Sequence, residues 1–204
     1  MTVSGVTVAD KTYDGTTAAT ISSTGTLNGV ISGDTVSVAS SGNTAAFANQ
    51  NVAYLNSAVT SQAVSVSLGL TGSSANNYTL TAPSGIVATI NPLTIYLSGA
   101  TVTSKVYDGT TSIANATTLP TLSVISGNLF TNSVTHMQDS LLGGSFAYTD
   151  ANAGTNKTVT VTGASVVNGS TTVSNNYTIT YQNNMTSVIE RAPLGILVNA
   201  DYIS

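Results

Sequence analysis

The chain is poor in the side chains that most often carry chemistry. It has no cysteine, no tryptophan and one histidine, and charged residues make up only 6% of its 204 positions. The missing cysteine excludes disulfides, thiolate metal ligands and a cysteine nucleophile. His136 alone cannot build a histidine metal cluster. Glu190 is the only glutamate, and nothing clusters the aspartates. We therefore expect a protein that is not an enzyme and that holds no cofactor.

Positive charge is scarce as well. Four Lys and Arg against eight Asp and Glu give a formal net charge of −4. So few cations cannot neutralise nucleic-acid phosphates or anionic lipid head groups, and no apolar run is long enough to span a bilayer. We therefore expect neither nucleic acid nor membrane insertion. The Ser-, Thr- and Asn-rich, charge-poor composition favours a protein exported from a bacterium.

What the sequence does contain is an internal repeat. Residues 11–17 are KTYDGTT and residues 105–111 are KVYDGTT. The similarity continues beyond the motif, since residues 47–48 match 146–147, 63–67 match 158–162, and 76–80 match 175–179. A specific segment that recurs after about a hundred residues indicates a tandem-repeat protein. We predict one domain at 1–92, a second at 93–193, and at 194–204 the start of a further repeat or a terminal strand.

Short alternating segments predict the fold class. Residues 35–38, 63–68, 78–81, 157–162 and 177–181 alternate apolar with hydroxyl side chains, which is the period of half-buried strands. Asp-Gly and Asn-Gly pairs separate such segments and suit tight turns. We predict an all-β chain of two tandem immunoglobulin-like antiparallel β-sandwich modules. The short join at Pro92 would hold them as an elongated rod.

The repeated motif has a structural interpretation. Its glycines supply a turn position with positive φ, its aspartates accept backbone N–H bonds, and its tyrosines bury a ring against the module. The functional alternative is a polar binding site built on Lys11, Tyr13 and Asp14, because a site present in every module suits binding better than catalysis. The motif residues are Lys11, Tyr13, Asp14, Gly15, Lys105, Tyr107, Asp108 and Gly109.

Two further possibilities stay open at this point. Lys11 and Lys105 are candidates for intramolecular isopeptide crosslinks to an Asn or Asp. Asp150 and Asn152 have the spacing that begins a calcium loop, although the glycine and the terminal glutamate of such a loop are missing. We predict no metal, with these two residues as the weak candidates.

Beyond the motif, further segments carry a family resemblance: GDTVSV at 33–38, FANQNV at 47–52, NNYTL at 76–80 and ATINP at 88–92. Together with the motif they resemble the YDG-domain repeat of large bacterial exported proteins similar to filamentous haemagglutinins. The resemblance covers nearly the whole chain, twice. It departs at 128–130 and at 189–193, so we expect an irregular strand before Phe146.

The resemblance implies a function. It implies a stalk of a secreted or cell-surface bacterial adhesin, in which tandem modules project a distal binding region and neighbouring repeats are the partners. The location would be extracellular or the bacterial cell surface, and no catalytic residues are implied. The alternative is a binding module for host or surface glycans, using exposed tyrosines such as Tyr54, Tyr148 or Tyr181.

Overall fold

The computed structural model describes residues 1–99, 103–117, 119–131 and 138–195. His136 and most of the predicted terminal segment 194–204 lie outside the described residues.

The described residues form two compact units, and the limits of these units differ from those of the sequence repeats. Unit 1 consists of Met1–Thr94, the described residues between Phe130 and Asp139, and Val173–Thr178. Unit 2 consists of the described residues of 95–129, Ser140–Thr172, and the described residues from Ile179 onward. Two segments of the second sequence repeat therefore belong to the unit that the first repeat builds.

Regular structure in the described part of the chain is almost entirely strand. The first repeat contains β1 (Thr2–Val8), β2 (Lys11–Thr12), β3 (Ala18–Ala19), β4 (Ile21–Asn28), β5 (Ser37–Val38), β6 (Thr44–Phe47), β7 (Ala53–Leu55), β8 (Ala58–Thr60), β9 (Gln62–Ser67), β10 (Leu70–Thr71), the 3₁₀ helix η1 (Ala75–Asn77), β11 (Val87–Ala88) and β12 (Ile90–Asn91). The second contains β13 (Leu93–Gly99), β14 (Ser104–Val106), β15 (Leu122–Ser126), β16 (Ser140–Tyr148), β17 (Gly154–Asn168), β18 (Thr171–Thr172), the 3₁₀ helix η2 (Ser174–Asn176), β19 (Tyr177–Gln182) and β20 (Asn184–Glu190). No described helix has the length and apolar character needed to cross a membrane.

Hydrogen bonds join the strands into small sheets. The sheet orders in the first repeat are β1-β4, β5-β10, β3-β6-β9-β11, β2-β12 and β7-β8. In the second repeat they are β15-β13-β19 and β14-β20-β17-β16, with β18 also paired to β17. The antiparallel pair β6-β9 has its counterpart in β16-β17. The all-β prediction is confirmed.

At least two of the described strand pairs run parallel, which the prediction of antiparallel modules did not include. Lys11 of β2 lies opposite Ile90 of β12, and Lys105 of β14 lies opposite Ile189 of β20. The two strands of each pair come from opposite ends of a repeat, so the intervening chain supplies the long crossover that parallel pairing requires. In each repeat, this parallel pairing fixes the position of the strand that contains the motif lysine.

Alternation along the strands builds the core. Val64 and Val66 of β9 are buried while Ser65 between them is exposed, and Val159 and Val161 of β17 are buried in the same spacing. Burying one such valine is worth about 1.5–3 kcal/mol. The other buried apolar residues are Val6, Tyr13, Phe47, Val52, Ala88, Ile90, Ile95, Leu97, Tyr148, Val166, Val167, Tyr177 and Ile189.

The strand register corrects one predicted correspondence between the repeats. Phe47 lies opposite Val64, and Tyr148 lies opposite Val159, the repeat equivalent of Val64. Tyr148 is therefore the counterpart of Phe47, and the predicted match of Phe47 to Phe146 is wrong by two residues. Side chains two residues apart share one face of a strand, so the hydrophobic pattern alone could not distinguish the two.

One strand prediction is wrong. Residues 78–81 form no strand. Their backbone bonds are the Tyr78 N–H to Ala75 O at 3.1 Å, the Thr81 N–H to Met1 O at 2.9 Å, and the Met1 amino group to Thr79 O at 2.9 Å.

The irregularity expected before Phe146 is present in part. The segment belongs to β16, which pairs with β17 from Ser140 to Tyr148, but Gly143 and Gly144 within it have positive φ, at +72° and +102°.

Candidate functional site

Each repeat contains a cluster built on its motif lysine, and we call these the lysine clusters. The first consists of Lys11, Asp14 and Thr16. Lys11 Nζ donates to Asp14 Oδ1 at 2.7 Å and to Thr16 O at 2.8 Å. The N–H and the hydroxyl of Thr16 both donate to the same Asp14 oxygen at 2.9 Å. The turn after β2 therefore folds back and closes on the ammonium group.

The second lysine cluster consists of Lys105, Asp108, Thr110 and Ser112. Lys105 Nζ donates to Asp108 Oδ1 and to Thr110 O at 2.7 Å, and to Ser112 O at 2.9 Å. The N–H and hydroxyl of Thr110 donate to Asp108 Oδ1 at 2.9 Å. The bonds from backbone N–H to aspartate expected from the sequence are thus present in both repeats.

Burial distinguishes the two clusters. The side chains of Lys105 and Asp108 are 0% and 26% exposed, against 17% and 52% for Lys11 and Asp14. A charged group removed from water depends on the protein for its hydrogen bonds. The ammonium of Lys105 therefore relies on protein oxygens alone, whereas that of Lys11 shares its interactions with solvent.

An aromatic ring lies beneath each ammonium group. Lys11 Nζ is 5.5 Å from the centre of the Phe47 ring, and Lys105 Nζ is 5.6 Å from the centre of the Tyr148 ring. A cation within about 6 Å of a ring face is attracted to it. Tyr148 is 2% exposed, so its predicted place among the exposed tyrosines is wrong. Of the other two, Tyr54 is exposed and Tyr181 is half-buried.

Replacing Tyr148 with phenylalanine should lower the free energy of unfolding by about 1–3 kcal/mol. The Tyr148 hydroxyl donates to Val188 O at 3.0 Å and to Thr103 O at 3.1 Å, and the replacement removes this buried donor. The matched control is Tyr181→Phe, whose half-buried hydroxyl can be replaced by water, so that the loss stays below about 1 kcal/mol. Equal losses in urea unfolding of the two variants would contradict the assignment.

The motif glycines and tyrosines show one agreement and one difference. Gly15 and Gly109 have the predicted positive φ, at +66° and +76°. Tyr13 is buried as predicted, but Tyr107 is 44% exposed, so the prediction is wrong for Tyr107. The reason is that the ring of Tyr13 has aromatic neighbours inside unit 1, while none contacts Tyr107 in the part of the chain that the structure describes.

Both motif lysines have the geometry of hydrogen-bonded ion pairs. Bonds from Lys105 and then Thr110 hold the pKa of Asp108 well below its usual range. At Asp14 burial acts in the opposite direction, but bonds from Lys11 and Thr16 outweigh it and lower the pKa. An ionised carboxylate is a poor electrophile for an amine, so this arrangement favours the ion pair over the isopeptide crosslink.

We therefore expect the denatured protein to have the mass of its sequence in intact mass spectrometry. A Lys–Asp isopeptide bond would lower that mass by one water for each repeat, and a Lys–Asn bond would lower it by one ammonia. Either deficit, absent from the Lys11→Met, Lys105→Met double variant, would show that the crosslink forms.

The weak calcium candidates form a different ion pair. Asp150 receives two bonds from Lys157 Nζ, at 2.7 and 2.9 Å, and one from the Asn152 N–H at 2.9 Å. In the first repeat the neutral pair Gln62 and Asn49 occupies the equivalent positions, with the Asn49 N–H donating to Gln62 Oε1 at 3.0 Å. No group of three or more His, Asp or Glu that could hold a metal occurs among the described residues. The geometry thus favours a polar bridge in each repeat, formed by Gln62 of β9 in the first and by Lys157 of β17 in the second.

Acid should destabilise the protein through these aspartates. The pKa values of Asp14, Asp108 and Asp150 are all lowered in the folded chain, the last mainly by Lys157. The folded state then binds fewer protons than the unfolded state, so their contribution is complete above the ordinary aspartate pKa of about 4 and is lost as pH falls below it. Urea midpoints at pH 7 and near pH 2.5 should differ, and Asp108→Asn should reduce the difference.

Sequence reasoning missed a second pair of equivalent clusters. The Tyr78 hydroxyl donates to Asp34 Oδ2 at 2.6 Å, and the Tyr177 hydroxyl donates to Asp139 Oδ2, also at 2.6 Å. Burial and then the bond to Asp139 raise the pKa of Tyr177 well above its usual value. The repeated NNY segments at 76–78 and 175–177 already indicated that the two tyrosines are equivalent. Asp139 was missed because it lies beyond the segment at 128–130 where the repeat departs from its pattern.

Comparison with known proteins agrees with the repeat. The family model described as YDG domain matches residues 1–85 and again residues 89–185. No curated protein and no solved structure matches the chain.

Proposed function

Because this chain belongs to the YDG-domain family and carries two tandem copies of the domain, we propose that it forms structural spacer repeats of a bacterial adhesin. The adhesin is a secreted or cell-surface protein of the filamentous-haemagglutinin-like kind. Its repeats act as immunoglobulin-like modules in an elongated rod that projects a distal binding region.

The observation that carries this proposal is how each motif is used. In both lysine clusters, the ammonium group donates to the aspartate and to a threonine carbonyl of the same motif, and these bonds close a turn next to a strand. In the described part of the chain, no buried side-chain nitrogen or oxygen lacks a hydrogen-bond partner. A site for catalysis or tight binding usually keeps some polar groups directed at a ligand, whereas a spacer needs its polar groups to hold the module together.

The parallel strand pairs also suit a spacer. In each repeat, a strand near the beginning pairs with a strand near the end: Lys11 lies opposite Ile90, and Lys105 lies opposite Ile189. Tension applied through the ends of a repeat would load the hydrogen bonds of this pair together, in shear. A module closed in this way resists extension, which a stalk carrying a distal binding region requires.

The spacer proposal is tested by solution shape and by binding. Small-angle scattering should show a monodisperse, elongated and stiff particle. A freely jointed pair of modules would contradict the rod. The isolated chain should also fail to bind glycan arrays or host cells, because the binding region lies elsewhere in the adhesin.

A binding module is the second candidate, and one feature favours it. Tyr54 is 41% exposed and lines a shallow pocket in unit 1 with Ser57, Ser174, Asn175 and Tyr177. An aromatic face beside hydroxyl and amide groups is suited to a sugar ring, so a host or surface glycan is the ligand class. A reproducible glycan-array signal that disappears in Tyr54→Ala would favour this candidate over the spacer.

A further inference from the structure

Unit 1 contains a docked asparagine that pairs through both ends of its amide group. The Val52 N–H donates to Asn176 Oδ1 at 2.9 Å, and Asn176 Nδ2 donates to Asn51 Oδ1 at 2.9 Å. Asn176 is 3% exposed, so these bonds replace its contacts with water. This arrangement is specific, because an amide presents its acceptor and its donors in a fixed geometry.

Aromatic packing surrounds this amide pair. The ring of Tyr13 meets the rings of Phe130 and Tyr177 edge-on, with centroids 5.8 and 5.5 Å apart. Such edge-on contacts add attraction beyond that of burial. We call Tyr13, Asn51 and Val52 the docking face, and Phe130, Asn176 and Tyr177 the insert.

The second repeat has an equivalent docking face, which no insert occupies among the described residues. Its residues are Tyr107, Asn152 and Ala153, the repeat equivalents of Tyr13, Asn51 and Val52. Tyr107 is 44% exposed and Asn152 is exposed. The Ala153 N–H has no acceptor among the described residues.

The first repeat has an equivalent insert, which no docking face holds among the described residues. Tyr78 Oη accepts from the Ile31 N–H at 3.0 Å, as Tyr177 Oη accepts from the Phe130 N–H at 3.0 Å. Ile31 therefore stands in the place of Phe130 and is 68% exposed. Asn77 is the equivalent of Asn176 and is exposed.

We propose that the docking face of the second repeat binds the insert of a further copy of this repeat. The expected contacts are Ile31 on Tyr107 and Asn77 paired with the Ala153 N–H and the Asn152 side chain. One free face and one free insert on each chain make the contact head-to-tail, so it can continue from repeat to repeat. The inference rests on the tandem-repeat part of the proposed function and not on adhesion.

This contact should be weaker between molecules than inside unit 1. The Tyr54 hydroxyl donates to Asn175 O at 2.8 Å, and Thr155, at the position equivalent to Tyr54, is too short for such a bond. Tethering two partners in one chain supplies an effective concentration of the order of millimolar. Binding between separate molecules therefore has to be sought at about 1 mM.

The experiment is a titration of ¹⁵N-labelled chain with unlabelled chain, followed by NMR. The amide signals of Tyr107, Gly109, Asn152 and Ala153 should shift as unlabelled protein is added, and those of Ile31 and Asn77 should shift with them. The docking face inside unit 1 already holds its insert, so the Val52 signal should not move. Absence of shifts at about 1 mM, or shifts confined to other surfaces, would overturn the proposal.

A variant of the insert makes the test directional. Unlabelled Ile31→Asp, Asn77→Ala lacks a working insert but keeps its own free docking face, and both changes lie at exposed positions. It should leave the Tyr107 and Ala153 signals of the labelled chain unmoved while still shifting those of Ile31 and Asn77. Loss of both sets, or of neither, would contradict the head-to-tail contact. The spacer proposal could survive that failure, because its own test is a stiff particle that binds no surface.

Discussion

Replacing Lys105 with methionine should destabilise the protein by about 3 kcal/mol, the largest loss among single changes in the lysine clusters. The side chain is 0% exposed, and its ammonium donates to Asp108, Thr110 and Ser112. Methionine fills a similar volume but removes the ammonium that donates to all three, and Asp108 keeps only the bonds from Thr110 and Asn115. Asp108 is partly exposed, so water can recover some of its interactions, which keeps the loss below that of a fully buried pair.

The matched control is Lys11→Met in the first repeat. Its ion pair has the same 2.7 Å distance between Lys11 Nζ and Asp14 Oδ1, but the two side chains are 17% and 52% exposed. Solvent weakens such a pair, and we expect a loss of about 1 kcal/mol. The two variants are compared by urea unfolding followed by circular dichroism. Equal losses would mean that the burial of Lys105 does not determine its contribution.

Replacing Gly15 with alanine should have a comparably large effect, a loss of about 3 kcal/mol. Two costs add at this position. The φ of +66° is unfavourable for a residue with a Cβ atom, and the added Cβ would overlap the ring of Phe130. The ring would have to leave its edge-on contact with Tyr13.

Gly109→Ala is the control for Gly15→Ala. Its φ is +76°, and no atom lies within 4 Å of the position that a Cβ would take. Only the backbone cost of about 1 kcal/mol should remain. The difference between the two thermal or urea transitions therefore measures the packing against Phe130. If Gly109→Ala lost as much stability as Gly15→Ala, the loss at Gly15 would come from the backbone conformation and not from the contact with Phe130.

The sequence was most informative where the physics is local. Alternating hydroxyl and apolar residues along 63–67 and 158–162 predicted strands that the structure contains, because the face that a side chain occupies follows from the two-residue period. The Asp-Gly pairs predicted positive φ at Gly15 and Gly109. The repeated motif predicted the aspartate turns and the YDG relationship.

Local patterns were insufficient where a partner lies far away in the chain. The match of Phe47 to Phe146 failed because positions two apart look alike within one strand, and only the pairing with β17 selects Tyr148. The loop from Leu55 to Ala58 was missed, because Asn56 and Ser57 both have positive φ without a glycine. Two parallel pairs, β2 with β12 and β14 with β20, join strands from opposite ends of a repeat.

The sequence by itself determined that this protein is an all-β tandem repeat, poor in charge, with a lysine, a tyrosine and an aspartate turn in each copy. Only the tertiary structure decided how those equal motifs differ. Lys105 is buried while Lys11 is partly exposed, and Tyr13 is buried while Tyr107 is exposed. The reason is that burial depends on which distant segments pack against a residue, and two nearly identical motifs carry no information about their neighbours.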